Sequence, residues 1–143
     1  KDKLDSYILI DEFPTEKTSL NKYLLKHKSV LINRKIKKFN EDNWFQWGAL
    51  RNYNTIKEKL GTKCIYVKTL TRKSEVAFMG KAQLFGGGLL IMIPKEDTTI
   101  SDQQLQHITH YLNSEDFKKN YTYSGRFKIG HKLLSNSLLN IPS

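Results

Sequence analysis

The stretch KCIYVKTLTRKSEVAFMGKAQLFGGGLLIMI, residues 63–93, decides the fold class of this chain. Its first part is rich in β-branched residues, and Ile65 and Val67 alternate with a Tyr and a Lys, which predicts a strand. The apolar runs VAFMGKAQLF and LLIMI follow, separated by the triglycine 86–88, and this order indicates a β-hairpin. LLIMI is predicted to be a central strand, buried on both faces.

Upstream of the sheet, the sequence predicts a short strand and a long amphipathic helix. The apolar run YILI (7–10) is typical of a strand that enters a turn. Thr15 or Thr18 is expected to cap the helix that follows. An apolar stripe with steps of three and four predicts this helix over about 20–36, and the Lys and Arg residues at its end suit the negative end of the helix dipole.

Between this helix and the sheet, the segment NEDNWFQWGALRNYNT (40–55) has no regular period. A two-turn helix over 54–60 is predicted next, capped by Asn54 and ended by Gly61.

Downstream of the sheet, the sequence predicts a helix pair and a closing strand. Ser101 and Gln104 form a capping box at the start of the first helix, and Ser114 begins a second, short one. The run RFKI (126–129) alternates and predicts the closing strand. The order of helix, loop, sheet, helix pair and strand predicts an α+β class with a small mixed or antiparallel sheet, folded as a single domain over 1–143.

The basic charge of the chain is unevenly distributed. The chain has 143 residues and a formal net charge of +10, from 24 basic and 14 acidic side chains. Residues 34–81 hold twelve Lys and Arg against four acids, and residues 118–132 hold five against none, whereas residues 82–117 hold one Lys and five acids. Two basic regions around an acidic one indicate a polyanionic partner, with nucleic acid as the first candidate.

Two other interpretations of the charge remain open. The chain is alternatively a protein-interaction or structural domain whose Lys-rich surface reflects a biased genome. A third interpretation is an RNA-binding module, although the sequence contains no aromatic strand motif of the kind such modules use.

Several classes of site are disfavoured by the residues present. A lone Cys64 excludes a disulfide framework and a Cys-rich zinc site, and its β-branched surroundings predict a small core residue. His107 and His110 have ligand-like spacing but no third ligand at a recognisable distance. The triglycine 86–88 lacks the following helix and Lys of a phosphate loop, so a turn is expected. No nucleophile motif is found either, and we expect neither a catalytic residue nor a metal site in this chain.

The N-terminus and the apolar runs indicate the cellular location of the protein. The longest apolar run, 89–94, is far shorter than a membrane span, the first residue is Lys1, and no signal-peptide pattern is found. These features predict a piece of a longer cytoplasmic protein with no membrane partner.

Candidate DNA-contacting residues lie in three segments. Trp44 and Trp47 either stack on bases or fill a core under a loop. Arg51 and Asn52 have the donors that recognise guanine and adenine edges, and KTLTRK (68–73) and GRFKIGHK (125–132) carry donors suited to phosphate. The predicted DNA-binding set is Arg51, Asn52, Tyr53, Lys68, Arg72, Lys73, Lys81, Arg126, Lys128, His131 and Lys132. Within it, the base readers are predicted to be Arg51, Asn52, Arg126 and His131.

The order of these segments resembles the C-terminal target recognition domain of restriction–modification adenine DNA methyltransferases, the TaqI-like specificity domain. The resemblance rests on a helix end, a Trp-rich segment, a strand that ends in Thr-Arg, an LNS motif, a Gly-Arg/Lys stretch and a closing Ile-Pro. In this chain they are 31–35, 44–52, 63–72, 112–114, 125–132 and 141–142. At one point the chain departs from the pattern: the family's Gly-Arg pair is here spread over Gly48-Ala49-Leu50-Arg51, which weakens any role transferred to Arg51.

The resemblance implies a function for the parent protein. A type II adenine methyltransferase transfers a methyl group from S-adenosylmethionine to N6 of adenine at a specific duplex site. Its catalytic half would lie outside this chain, which has no Asn/Asp-Pro-Pro-aromatic motif and no Phe-x-Gly-x-Gly loop. The resemblance therefore implies a chain without its own cofactor, whose partners are double-stranded DNA and the catalytic domain of the same polypeptide. Its role would be to hold the duplex while the adenine is flipped.

Overall fold

A computed structural model describes residues 6–36, 39–48, 52–122, 125 and 127–138. The chain divides into two compact units, Lys1–Arg51 and Asn52–Ser143. Nothing in the composition around residue 51 indicates this division, because the junction has no run of Pro, Gly or Ser. In the described residues, no helix is both long enough and apolar enough to cross a membrane.

The first unit contains the helix α1, Ser19–Ile32. Of the two predicted candidates, Thr15 and Thr18, it is Thr18 that caps the helix, since its hydroxyl accepts a hydrogen bond from the backbone N–H of Asn21 at 3.2 Å. The helix stops at Ile32 and does not reach the predicted end near residue 36. The guanidinium of Arg34 donates to the carbonyl of Leu31 at 2.8 Å, so the end of the helix is satisfied by a side chain.

The predicted strand over residues 7–10 is wrong, because these residues form no strand. The carbonyl of Ile8 accepts from the indole N–H of Trp47, and the carbonyl of Asp11 accepts from the side chain of Gln46. A strand needs a neighbour to pair its backbone groups, and no strand is present among the described residues of the first unit. The apolar run is therefore held by aromatic and amide side chains.

The second unit is built on a three-stranded antiparallel sheet with the order β2-β1-β3. The strands are β1 (Lys63–Lys68), β2 (Ala77–Lys81) and β3 (Leu89–Met92). The predicted hairpin of β2 with β3 is wrong, since both strands pair with β1, and β3 is a half-buried edge strand, not the central one. The physical reason lies in β1, whose residues 64–67 are all buried, so that both of its faces need cover.

The triglycine belongs to a crossover and not to a hairpin turn. Because β2 and β3 both run antiparallel to β1, residues 82–88 must return along the length of the sheet. Seven extended residues span roughly 23 Å, and the six residues of β1 span roughly 20 Å. This connection covers one face of the sheet, where Ala82 is buried and the ring of Phe85 lies 5.6 Å from that of Tyr66.

Tyr66 holds the crossover in place. Its hydroxyl donates to the carbonyl of Lys81 at 2.9 Å and accepts from the N–H of Gln83 at 3.1 Å. Its ring lies over Gly80, where an added Cβ would come within 3.1 Å of a ring carbon. Gly80 is therefore required for close approach. On the same face Cys64 is fully buried, as predicted, and burial raises the pKa of its thiol.

The opposite face of the sheet packs against helices α3 (Asp102–Leu112), α4 (Glu115–Thr122) and α5 (His131–Leu138). The core between them is apolar and contains Ile65, Val67, Val76, Ala77, Leu105, Leu112, Phe117, Tyr121, Ile129 and Leu134. The predicted capping box of Ser101 and Gln104 is present, with both reciprocal hydrogen bonds.

The LNS motif joins the helix pair to the sheet. Leu112 is fully buried, and the amide of Asn113 accepts from the N–H groups of Val76 and Ala77 and donates to the carbonyl of Ala77. The hydroxyl of Ser114 accepts from the N–H of Phe117 at 3.3 Å and thus caps α4, as predicted. Asn113 therefore satisfies the backbone at the start of β2.

Two further local predictions need correction. The helix α2 (Tyr53–Glu58) begins after Asn52 and not at Asn54, because Asn52 adopts a left-handed conformation with φ 57° that turns the chain into the helix. The predicted closing strand is reduced to one β-bridge between Leu70 and Lys128, and the chain then enters α5, which was not predicted.

Candidate nucleic-acid interface

The sheet has two ends, which we name by the residues of β1 that lie there. At the Lys68 end, the chain leaves β1, and the segment 127–129 pairs with 69–71. The N–H of Ile129 donates to the carbonyl of Thr69 at 2.8 Å, and the N–H of Thr71 donates to the carbonyl of Phe127 at 3.3 Å. Two segments that are distant in sequence, KTLTRK and GRFKIGHK, are thereby brought together, as a common DNA surface requires.

The cations at the Lys68 end are held by aromatic rings and backbone carbonyls. The ammonium of Lys68 donates to the carbonyl of Glu75 at 3.3 Å and lies 5.9 Å from the ring of Phe78. The guanidinium of Arg72 lies 5.5 Å from the ring of Phe127. These contacts position the charges without neutralising them.

Six members of the predicted DNA-binding set belong to the Lys68 end: Lys68, Arg72, Lys73, Lys128, His131 and Lys132. None of them forms a salt bridge with another residue that the structure describes. The segments 68–76 and 127–132 contain a single acid, Glu75. This end therefore carries a concentrated positive charge.

The Lys63 end has a different arrangement. Lys59 bonds Glu96 at 2.8 Å, and Lys63 bonds Asp102 at 2.6 Å. The hydrogen bond and the charge of Lys59 lower the pKa of Glu96 below its ordinary value. Lys81 stands opposite Lys63 in the strand register, so this predicted DNA-binding residue lies at the other end of the sheet from Lys68.

Two further members of the predicted set lie in or beside α2, which leads into the Lys63 end. Asn52 is the exposed residue that precedes the helix. Tyr53 is half-buried, and the ammonium of Lys57 lies 5.7 Å from its ring. The structure therefore does not bring Asn52 and Tyr53 into the group at the Lys68 end by any described contact. Arg51 and Arg126 lie outside the described residues.

The two tryptophans belong to the first unit. The sequence did not decide whether they stack on bases or fill a core. Trp44 is buried beside Phe13 and Phe45, with ring centroids 5.3 and 5.8 Å away, which confirms the core interpretation for this residue. Trp47 is 39% exposed, its ring packs edge-on against Tyr7, and its N–H is bonded to a backbone carbonyl. The donor of Trp47 is thus already used within the chain.

Some of the basic residues counted in the sequence have structural roles. The guanidinium of Arg34 also donates to the carbonyls of Trp44 and Gln46, at 2.7 and 2.8 Å, and lies 3.9 Å from the ring of Phe39. Burial lowers the pKa of Arg34. In the 34–81 region, Lys59 and Lys63 are also paired with acids. The basic charge of this region is therefore only partly available to a partner.

Sequence reasoning missed two features of the Lys68 end. Leu70 is 70% exposed although it lies between two hydrogen-bonded residues. Phe127 has φ 51°, in the left-handed region that bulky residues rarely adopt. The position of Leu70 between Lys68 and Arg72, each two residues away, could have indicated that Leu70 is exposed. Nothing in the sequence indicates the left-handed conformation of Phe127.

The chain is 34% identical over 141 residues to the Type II methyltransferase M.MjaIV of Methanocaldococcus jannaschii. The match covers 93% of this chain and 45% of that relative. No protein-family model matches the chain, and no solved structure matches it. The chain is thus related in sequence to a restriction–modification methyltransferase and spans less than half the length of that relative.

Proposed function

We propose that this chain is the DNA target recognition module of a type II restriction–modification, adenine-specific DNA methyltransferase, and that it binds duplex DNA through the Lys68 end of its sheet. The observation that carries the proposal is the gathering of six predicted DNA-contacting residues at one end of the sheet. The salt bridges of the sheet lie at the other end. A duplex presents a dense row of phosphates, which this distribution of charge complements.

The arrangement of the cations suits phosphate contact. Lys73, Lys128 and Lys132 are exposed, and Arg72 is exposed while its guanidinium lies near an aromatic ring. Lys and Arg neutralise backbone charge and fix the register of a protein on DNA, whereas sequence is read at the base edges. The exposed His131, at the start of α5, remains our candidate for a base edge, together with Asn52 and with Arg51 and Arg126.

The chemistry of methyl transfer is assigned to another part of the parent protein. S-adenosylmethionine would supply the methyl group there. The residues of this chain do not fit that cofactor, because the triglycine 86–88 leads into strand β3 and not into a helix whose N-terminus could receive it. This chain would position the duplex while the catalytic domain flips the adenine and methylates N6. The length of the related methyltransferase beyond the matched 45% leaves room for such a domain.

The first unit supports a catalytic-domain partner. Most of the large apolar side chains that are exposed in the described residues belong to it: Tyr7, Ile8, Tyr23, Leu25, Val30, Ile36 and Trp47. Large exposed apolar patches mark sites of protein–protein interaction, among other roles. We therefore assign the first unit to contact with the catalytic domain. In the parent enzyme, Val30→Glu should weaken methyltransferase activity, whereas Ser29→Glu on the same exposed helix should not.

The test of DNA recognition is a titration of short duplexes at several salt concentrations, followed by fluorescence anisotropy. If the five Lys and Arg residues at this end each neutralise one phosphate, the slope of log affinity against log salt should be roughly −4.5. Affinity that does not depend on salt would contradict the proposal. A single-stranded RNA of matched length is the control, and tighter binding to it would favour the RNA-binding alternative.

A further inference from the structure

An exposed leucine occupies the middle of the Lys68 end. Leu70 is 70% exposed, while its neighbours Thr69 and Thr71 are half-buried. A single exposed apolar side chain is common on protein surfaces and needs no explanation by itself. The residues that surround Leu70 are what set it apart.

Leu70 and Lys128 form a close cross-strand pair. The flanking hydrogen bonds, from Ile129 to Thr69 and from Thr71 to Phe127, are those of a non-hydrogen-bonded antiparallel pair. The two Cα atoms of such a pair lie roughly 4.5 Å apart, with both side chains on one face. Lys68 and Arg72 lie two residues before and two residues after Leu70 in the chain, which bends at residue 69 and again over 72–74. Leu70 is thus paired directly with one cation, Lys128, and has two others close to it in sequence.

The backbone that carries Leu70 is fixed. The N–H and the hydroxyl of Thr69 both donate to the carbonyl of Gly88, at 3.0 and 3.1 Å. With the two bonds to the 127–129 segment, four hydrogen bonds hold the residues on either side of Leu70. Its side chain therefore projects from a supported two-stranded ribbon, which is the kind of element that presents a residue in a defined position.

We propose that Leu70 reads sequence by contacting the C5-methyl group of a thymine in the major groove, while Lys68, Arg72 and Lys128 contact the phosphates beside it. This inference rests on the proposed function. The major groove, roughly 12 Å wide, admits a two-stranded ribbon, whereas the minor groove, roughly 6 Å wide, does not. The thymine methyl is the apolar group exposed in the major groove, and among the described residues at this end of the sheet Leu70 is the large apolar residue that is exposed.

The experiment is a selection of duplexes from a random library by the 143-residue chain, compared with its Leu70→Ala variant. The wild type should enrich a motif, and the variant should lose its preference at one or two T·A pairs. The loss should be roughly fourfold, the factor that corresponds to one buried methyl-sized group. Leu60→Ala is the matched control, because Leu60 is also exposed but lies in the turn before the Lys63 end. Leu70→Met keeps an apolar side chain and should keep most of the preference.

Replacement of the identified thymine by deoxyuridine sharpens the test. The wild type should bind the deoxyuridine duplex roughly fourfold more weakly, whereas Leu70→Ala should bind both duplexes equally. The salt slope and the melting temperature of Leu70→Ala should equal those of the wild type, since no phosphate contact and no buried group is lost.

The outcomes separate the two proposals. If the wild type selects a motif and Leu70→Ala selects the same motif with the same preferences, the role of Leu70 is overturned and DNA recognition stands. A deoxyuridine effect that persists in Leu70→Ala would have the same meaning. A wild type that binds duplexes without salt dependence would overturn both proposals, as would selective binding of an acidic protein surface at this site.

Discussion

The Lys68 end and the Lys63 end of the same sheet differ in whether their basic side chains are paired with acids. At the Lys63 end, Lys59 and Lys63 each bond a carboxylate, from Glu96 and Asp102. At the Lys68 end, Lys68 lies beside an aromatic ring and a backbone carbonyl, and Arg72 lies beside an aromatic ring, which leaves their charge uncompensated. The difference teaches that net charge counted along the sequence does not show which cations are paired with acids. That pairing depends on where the fold places the acids, here Glu96 and Asp102 at the Lys63 end.

The largest expected effect is a loss of stability on truncation of core residues, one from each end of the sheet. Ile129→Ala and Leu105→Ala should each lower the free energy of unfolding by about 2–5 kcal/mol, because both residues are buried in one apolar cluster. The buried side chain of Ile129 also anchors the 127–129 segment, whose backbone bond to Thr69 the Ala variant keeps. Because the loss of this anchor loosens the Lys68 end, only Ile129→Ala should also lose DNA affinity when both variants are compared under conditions where they remain folded.

Urea unfolding and anisotropy titration at low temperature measure these two quantities. Leu105 is the matched control because it lies three residues after Asp102, at the Lys63 end. Equal losses of DNA affinity in both variants would mean that the Lys68 end has no special role.

A smaller effect is expected from charge removal at the two ends. Lys128→Ala with Lys132→Ala should weaken binding to all duplexes by roughly tenfold or more and reduce the salt slope by about 2, because two phosphate contacts are lost. Lys81→Ala with Lys95→Ala removes the same charge from exposed positions at the Lys63 end. This second double variant should change the slope little. The reverse order of effects would place the DNA at the Lys63 end.

The smallest effect concerns stability and pH at the Lys63 end. Lys59 lowers the pKa of Glu96 from its ordinary value of 4.5. A carboxyl with a lowered folded-state pKa stabilises the fold fully above its unfolded pKa, and this contribution is lost as the pH falls through the folded-state value. Lys59→Gln should therefore be slightly less stable than the wild type near pH 7, with the difference vanishing in strong acid.

Thermal unfolding across a pH series checks this prediction. The carboxylate is exposed, so the difference should also shrink in high salt. DNA affinity of Lys59→Gln should match the wild type, since the charge removed is already paired. A large loss of affinity would show that the pairing does not shield Lys59 from DNA.

Local elements with a strong pattern could be predicted from the sequence. The capping box of Ser101 and Gln104 and the cap at Ser114 were identified correctly, and Thr18 was one of two candidates for the cap of α1, because each cap rests on residues within one helical turn. The strand β1 was identified for the same kind of reason, since its alternation and β-branched residues are local.

The errors arose where pairing between distant segments decides the outcome. Strand β3 looked central because it is uniformly apolar, yet β1 takes the centre since both of its faces are buried. Residues 7–10 have the composition of a strand, but they form none. The side chains of Trp47 and Gln46 donate hydrogen bonds to the backbone carbonyls of Ile8 and Asp11, where a neighbouring strand would have paired. Strand pairing depends on the available neighbours, which a local pattern does not reveal.

The two basic segments of the candidate site could be predicted from the sequence, but which cations lie together could not. KTLTRK and GRFKIGHK were each identified as basic and suited to phosphate, and Lys81 was placed in the same DNA-binding set. In the fold, one strand length separates Lys81 from Lys68, whereas Lys128 comes opposite Leu70. Which cations act together is a property of the register of the sheet.

The sequence by itself determined the α+β class, the helix caps, the identity of β1 and the excess of basic charge. These depend on the chemistry of neighbouring residues, which acts over one or two turns of chain. Tertiary structure alone decided the order β2-β1-β3, the division into two units, the pairing of Lys59 and Lys63 with acids, and the exposure of Leu70 among cations. These depend on which distant segments bury each other's apolar faces, because burial is shared between partners that no single stretch of sequence contains.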